Sequence, residues 1–179
     1  MAIYGFNHDD LVSGGKAAIT FGLRNLMSKR RGMNKTDTNA GSFVATDMYK
    51  YLRDTVLPSL PADLRSHIKA VNKRTSAGNK SKDIRIDEMS IFLFSLNEVY
   101  GSHGFDYCSN DEGSKYAIFS SDQSRKKYLS NGAGRVNSWW LRSPGMTFGS
   151  WFCAISDDGE GYYGDYLAYE NGVCFGFCV

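Results

Sequence analysis

The sequence predicts an α+β fold in which two helices pack on a small, mainly antiparallel sheet. Helical spacing of apolar residues is confined to the first half of the chain. Short apolar or β-branched runs recur through the second half, and Gly and Asp turn signals separate them. With 179 residues, 42% of them apolar, the chain is long enough to bury a sizeable core as one domain spanning 1–179, and it shows no internal repeat and no linker that would divide it.

Residues 3–6 and 17–23 are expected strands, apolar and β-branched, broken by the turn signals Asp9-Asp10 and Ser13-Gly14-Gly15. A polar loop covers 28–41. Thr46 or Asp47 is the expected N-cap of a helix over 46–57, whose Met48, Tyr51, Leu52 and Val56 fall at helical spacing and which ends before Pro58. Pro61 opens a second, shorter helix over 61–67. A strand is expected over 68–73, an exposed loop over 75–82 and a buried strand over 91–94. Ser95 and Glu98 form a capping box that starts a short helix over 96–100. The stretch 101–134 is polar and irregular, with one ordered candidate at 116–119. Strands are expected at 139–141, 151–155 and 173–179. Asp158-Gly159 is the turn of a hairpin, and 161–171 is an exposed loop, because its tyrosines do not follow the period of two that a buried strand face demands.

The composition changes abruptly near the end. All 21 Lys and Arg precede Gly145, together with 14 of the 19 acids, so the body is basic and residues 145–179 are acidic. That tail holds 9 of the chain's 25 aromatics, spaced by Gly, Ser and Asp. Rigid, amphipathic Tyr among small polar residues is the mixture antibody-like paratopes use, since Tyr offers contact area at little entropy cost. Recognition rather than catalysis is the first expectation. The basic runs at Lys29-Arg30-Arg31, 69–74 and 80–82 are compatible with nucleic acid, but they lack the interleaved aromatics of a base-stacking platform and are read as solvated faces. No apolar stretch is long enough for a membrane span, and none follows a basic start as a signal peptide would, so the chain is expected to be made in the cytoplasm without a signal peptide.

Cys108, Cys153, Cys174 and Cys178 allow two disulfides or a metal site. Four residues apart in a strand, Cys174 and Cys178 would stand about 13 Å from each other, too far for one ion. Reduced, buried thiols are the expectation, with no metal and no cofactor. Asp157-Asp158-Gly159-Glu160 offers oxygens suited to calcium but lacks the spaced order that wraps the ion, and the turn already accounts for Asp-Gly. Of Trp139 and Trp140, on alternate faces of a strand, one is expected in the core and one partly covered by a loop. Arg142 is expected to pair with Asp157 or Glu170 or to orient Ser143-Pro144. His8-Asp9 has the residue types of a base and its orienter, though an isolated pair near a turn is ordinarily structural.

Several short motifs follow one another along the chain: Gly5-Phe6-Asn7-His8-Asp9-Asp10, Lys16-Ala17-Ala18-Ile19-Thr20-Phe21, Met33-Asn34 with Thr38-Asn39, Leu57-Pro58 with Leu60-Pro61, and Phe94-Ser95-Leu96-Asn97-Glu98-Val99. They are followed by Trp139-Trp140-Leu141-Arg142-Ser143-Pro144, Asp158-Gly159, Gly172-Val173 and Phe177-Cys178-Val179. Across almost the whole chain this resembles a domain family of formally unknown function from gut bacteria and their phages. Its members look like C-type-lectin-type domains of the branch that includes formylglycine-generating enzyme. The terminus departs from the family pattern, with Cys174-Phe175-Gly176 in place of a Pro-containing triplet.

Several such proteins serve as variable proteins of diversity-generating retroelements, in which randomised adenines turn Asn codons into Tyr, Asp, Ser, Gly, Phe and others but never into Lys, Glu, Gln, Met or Trp. The resemblance therefore implies a variable ligand-binding region at 145–171, with Trp151, Glu160 and Glu170 belonging to a fixed scaffold. The residues it singles out are Thr147, Phe148, Ser150, Ala154, Ser156, Asp158, Tyr162, Tyr163, Asp165, Tyr166 and Tyr169, expected to share one exposed face. The function it implies is that of a non-enzymatic display module, a phage receptor-binding or tail-associated variable protein or its bacterial cell-surface counterpart. Its ligand would be a cell-surface protein or glycan, and self-association or attachment to a larger virion or surface protein is compatible with it. The alternatives are an enzyme of the formylglycine-generating-like branch and a structural virion or cell-surface decoration domain.

Overall fold

The computed structural model describes all residues except 133, 167 and 168, with backbone alone for 162–166. In chain order the strands are β1 (Ala2–Phe6), β2 (Ile19–Gly22), β3 (Val71–Ser76), β4 (Ile84–Met89), β5 (Phe92–Leu93), β6 (Trp139–Pro144), β7 (Trp151–Ile155), β8 (Gly161–Tyr166) and β9 (Phe175–Cys178). They build a four-stranded sheet of order β1-β2-β9-β5, a two-stranded ribbon β3-β4 and a three-stranded sheet β6-β7-β8. Every pairing among these strands is antiparallel. The result is a small α+β architecture with few, short helices. The C-terminal strand lies inside its sheet, with Phe177 opposite Phe21 and Phe175 opposite Leu93.

The first helix starts where its cap directs: the Thr46 hydroxyl accepts from the Tyr49 N–H at 3.1 Å. It runs as α1 (Asp47–Tyr51), a π-helical segment Leu52–Val56 and α2 (Leu57–Ser59). It therefore passes Pro58 rather than stopping before it, because Pro58 sits in the first turn of α2, where a missing N–H is tolerated. The second helix is α3 (Ala62–His67). At α4 (Leu96–Tyr100), the Ser95 hydroxyl accepts from the Glu98 N–H and the Glu98 carboxylate accepts from the Ser95 N–H, both at 3.0 Å. A further turn, α5 (Asp122–Arg125), lies in the stretch read as irregular.

Three strand expectations need correction. The strand expected over 68–73 is β3 (Val71–Ser76), and its partner β4 lies in a segment that gave no strand reading. Its Ile-Arg-Ile-Asp order does alternate, but Ile86 stays 61% exposed, so the apolar face is only partly buried. The segment 161–166, expected as loop, is the backbone of β8, since the Asp158-Gly159 turn carries the hairpin into a third strand through main-chain bonds that require no apolar period.

One apolar cluster joins the elements, with Phe92, Phe94, Tyr116, Trp139, Trp140, Phe152 and Phe177 among its large members. Trp139 and Trp140 are both fully buried. The expectation that one is only partly covered is corrected, because β6 is packed on both faces. Each indole N–H has a partner, Trp139 with the Arg125 carbonyl at 3.0 Å and Trp140 with the Arg31 carbonyl at 2.7 Å. Cys174 and Cys178 are free and buried, but Cys108 and Cys153 are joined in a disulfide, against the expectation of four reduced thiols. Nothing in the polar 101–134 stretch signals that it folds back over β7; the Met146 N–H, donating to the Tyr107 carbonyl at 2.8 Å, ties the two regions together. No helix among the described residues is long and apolar enough to cross a membrane.

Candidate functional site

The candidate site lies where β6, β7 and β8 meet their loops. The loop between β6 and β7 contains Gly145, Thr147, Gly149 and Ser150, a composition that would leave an unsupported chain mobile. A buried side chain holds three of its carbonyls. The amide nitrogen of Asn39 donates to the carbonyls of Gly145 (3.0 Å), Phe148 (3.2 Å) and Trp151 (2.8 Å), its two hydrogens serving three acceptors. The other groups of Asn39 are also used: its side-chain oxygen accepts from the Asn79 N–H and its own N–H donates to the Gly149 carbonyl, each at 2.6 Å. Asn39 is fully buried, so these bonds replace water rather than compete with it.

Held this way, the loop presents Thr147 and Phe148 outward. Phe148 is 46% exposed and its ring lies 4.1 Å from that of Trp151, centroid to centroid, with Trp151 partly covered beneath it. A partly exposed aromatic pair on a loop with a fixed backbone offers contact area without an ordering cost on binding.

The hairpin turn between β7 and β8 is fixed by other means. The Ser156 hydroxyl bonds the Asp158 carboxylate and, at 2.9 Å, the Glu160 carbonyl, while Asp158 accepts from the Glu160 N–H at 3.1 Å. These bonds hold the Asp158 carboxyl below its ordinary range, the Ser156 hydroxyl contributing most. Gly159 sits at φ +91°, where a Cβ would fall 2.2 Å from the Asp122 carbonyl oxygen. Arg125 docks the turn on α5, donating to the Gly159 carbonyl at 2.8 Å while its guanidinium lies over the Tyr100 ring.

Behind this face runs a buried ionic network. Arg142 on β6 donates from two nitrogens to the Glu98 carboxylate and also bonds the Thr75 hydroxyl and the carbonyls of Leu93, Arg74 and Glu112. Its partner is therefore Glu98, not Asp157 or Glu170. Lys73 on β3 bridges Glu98 (2.9 Å) and Asp9. Burial raises the Asp9 carboxyl, but the Lys73 ammonium and bonds from Lys73, Thr20 and Tyr116 outweigh it and hold Asp9 well below the usual carboxylate range. Burial likewise opposes ionisation of Glu98, and Arg142 with Lys73 wins. Glu112 goes the other way. Burial pushes it up to about 7, although the Ser143 hydroxyl and the Ser76 N–H donate to it.

This network does not assemble the His8-Asp9 pair. The Asp9 carboxylate faces Lys73, Thr20 and Tyr116, while the His8 imidazole stacks on the Tyr116 ring, with its Nε2 3.1 Å from the Ser114 carbonyl oxygen. The Cys178 thiol, bonded to Thr20 and Asp9, is pushed up to about 12 by burial and by the Asp9 charge, which leaves it protonated near neutrality.

The eleven residues read from the sequence separate accordingly. Thr147, Phe148 and Tyr169 are exposed, and Ser150 is half-buried on the clamped loop. Ser156 and Asp158 lie at the hairpin tip, committed to each other. Ala154 is corrected: it is fully buried on β7 opposite Trp140, since the middle of a three-stranded sheet covered on both faces has no exposed position there. Tyr162, Tyr163, Asp165 and Tyr166 supply backbone to β8, and their side chains lie outside the described residues. Sequence reasoning missed two participants. Trp151, assigned to the scaffold, supports Phe148, and Asn39 was legible only as part of the Thr38-Asn39 motif.

Residues 18–179 match a family model described as "Domain of unknown function (DUF6273)". No curated protein and no solved structure matches the chain.

Proposed function

The chain belongs to the DUF6273 family, and from that premise we propose that it is a ligand-binding display module that recognises without turnover. The observation that carries this reading is the Asn39 clamp. A fully buried side chain spends its amide on three carbonyls of one loop, and that loop projects an exposed aromatic pair. A loop that only closed a hairpin would need neither the clamp nor the exposed Phe148. The fixed backbone with changeable side chains suits the variable region 145–171 of a C-type-lectin-like protein diversified by a retroelement. Thr147, Phe148, Ser150 and Tyr169, with the β8 tyrosines, are the residues assigned to contact. The ligand is a cell-surface protein or glycan, and the chain acts at a phage tail or a bacterial surface.

The test is capture of the fluorescently labelled chain by a panel of gut bacterial cells and by a glycan array. Replacing Thr147, Phe148 and Tyr169 together by Ala should abolish capture and leave the melting temperature in place. Undiminished capture by this variant, or no capture by the parent chain on any surface, would overturn the reading.

A further inference from the structure

A second site lies apart from the aromatic loop. The run Lys29-Arg30-Arg31 and the nearby Lys35 line a cavity of about 600 Å³ whose floor is Met48 and Tyr51 of α1. All four cations are exposed. Among the described residues none of them forms an ion pair or donates a side-chain hydrogen bond within the chain. Elsewhere on the surface Lys16, Arg53 and Arg85 each pair with a carboxylate, and Lys50 pairs with Asp47, which lines this cavity. Against the two carboxylates that also line the cavity, Asp47 and Glu170, the four cations leave it net positive, and an anion that enters offsets the excess.

The backbone beneath these charges is fixed. Arg31 exchanges both main-chain bonds with Asn171 (2.9 and 3.1 Å), and its carbonyl also accepts from the Trp140 indole. Its guanidinium lies 3.6 Å from the centre of the Tyr51 ring, which orients the donors and covers the ring face that a nucleobase would stack on. The Lys35 N–H is bonded to the Asp47 carboxylate at 3.0 Å.

A second cavity, of about 490 Å³, shares Lys29, Arg30 and Glu170 with the first and adds Arg135 and Asn137. The basic track is thus longer than a single small anion needs. Asn34 and Asn137 donate their amide nitrogens to neighbouring groups of the chain, which leaves their side-chain oxygens as acceptors in the lining, and Glu170 adds a carboxylate. Acceptors interspersed among cations suit a ligand that carries hydroxyls between its charges.

We propose that this groove binds an acidic polysaccharide, its carboxylate, phosphate or sulfate groups held by Lys29, Arg30, Arg31 and Lys35 and its hydroxyls by Asn34, Asn137 and Glu170. The site is independent of Phe148 and stands whether or not the aromatic loop binds a ligand.

The experiment titrates the whole chain with polygalacturonate, uncharged dextran and single-stranded DNA at matched charge or mass and low salt. The parent chain should bind polygalacturonate, more weakly as salt rises, and should not bind dextran. Lys29→Ala/Arg30→Ala/Lys35→Ala should weaken polygalacturonate binding by about tenfold or more, about 1.4 kcal/mol. The charge-matched control Lys69→Ala/Lys80→Ala/Lys82→Ala should change it by less than about threefold. Equal loss in the two variants would show a diffuse charge effect and overturn the site. Binding of DNA as tight as that of polygalacturonate would overturn the saccharide assignment, and so would a parent chain that binds dextran equally well or polygalacturonate not at all.

Discussion

The side-chain amide of Asn39 donates to the main-chain carbonyl of Trp151, 112 positions along the chain, at 2.8 Å. With the bonds to Gly145 and Phe148, it makes one residue of an early polar loop the anchor of a late one. Asn39→Ala leaves three loop carbonyls and the Asn79 N–H without this partner. The expected cost is about 3 kcal/mol, at the upper end for a buried polar group that loses its partners. The 145–151 amides should also exchange faster than those of β6. Hydrogen exchange by mass spectrometry and chemical denaturation check the two parts, and unchanged exchange would show that the loop is held by something else.

Glu112 gives the protein a pH dependence of unusual sign. An ordinary Glu titrates near 4.5, and burial raises Glu112 to about 7 in the folded chain. The folded state therefore holds this proton more tightly than the unfolded state. Its contribution is fully present below about pH 4.5 and is lost as pH rises through 7. Asp9 and Glu98, with lowered values, act oppositely and lose their contribution as pH falls below the ordinary carboxylate range. Between pH 5 and 8.5 the parent chain should lose on the order of 3 kcal/mol that Glu112→Gln, a neutral isostere, does not lose. Thermal melts of both proteins across that range check the difference.

Phe177 is 1% exposed in β9, between two neighbouring strands, with its ring 5.7 Å from that of Phe21. Phe177→Ala should cost about 3–5 kcal/mol, the usual range for truncating a buried aromatic. An unchanged denaturation midpoint would show that the terminal strand is frayed.

The helices other than α5 were legible because their signals are local: the Thr46 cap, the Ser95–Glu98 box and the apolar spacing from Met48 to Val56 each sit within a few residues. The strand before Asp158-Gly159 and the turn itself were legible for the same reason. What the sequence concealed is long-range. The ion pair of Arg142 with Glu98 joins residues 44 apart, and the Cys108–Cys153 bridge joins residues 45 apart through a stretch with no periodicity. No local pattern records either pairing. β8 was missed because main-chain bonding alone extends the hairpin, and Ala154 was misplaced because a strand with both faces covered looks, in sequence, like one with a single covered face. In the candidate site the aromatic composition of the tail is legible in the sequence, but Asn39, which bonds three carbonyls of the loop, lies more than a hundred positions away.

Phe148 and Trp151 should separate recognition from stability. Phe148 is 46% exposed, and its backbone is held through its carbonyl by Asn39, so Phe148→Ala removes surface that is already wet and leaves the loop path intact. Stability should change by no more than about 0.5 kcal/mol, as at ordinary surface positions. Trp151 lies under Phe148 and is only partly exposed, so Trp151→Ala should cost more stability than Phe148→Ala, and its indole should become the exposed aromatic face when Phe148 is removed. Binding at the loop should fall by about tenfold or more in either variant, since aromatic anchors carry a disproportionate share of interface energy. Trp fluorescence gives a direct readout: removing Phe148 should shift the emission to the red by exposing Trp151, and saturating ligand should shift the parent chain to the blue. Emission unchanged by both the substitution and the ligand would mean that the Phe148–Trp151 pair is not the contact surface.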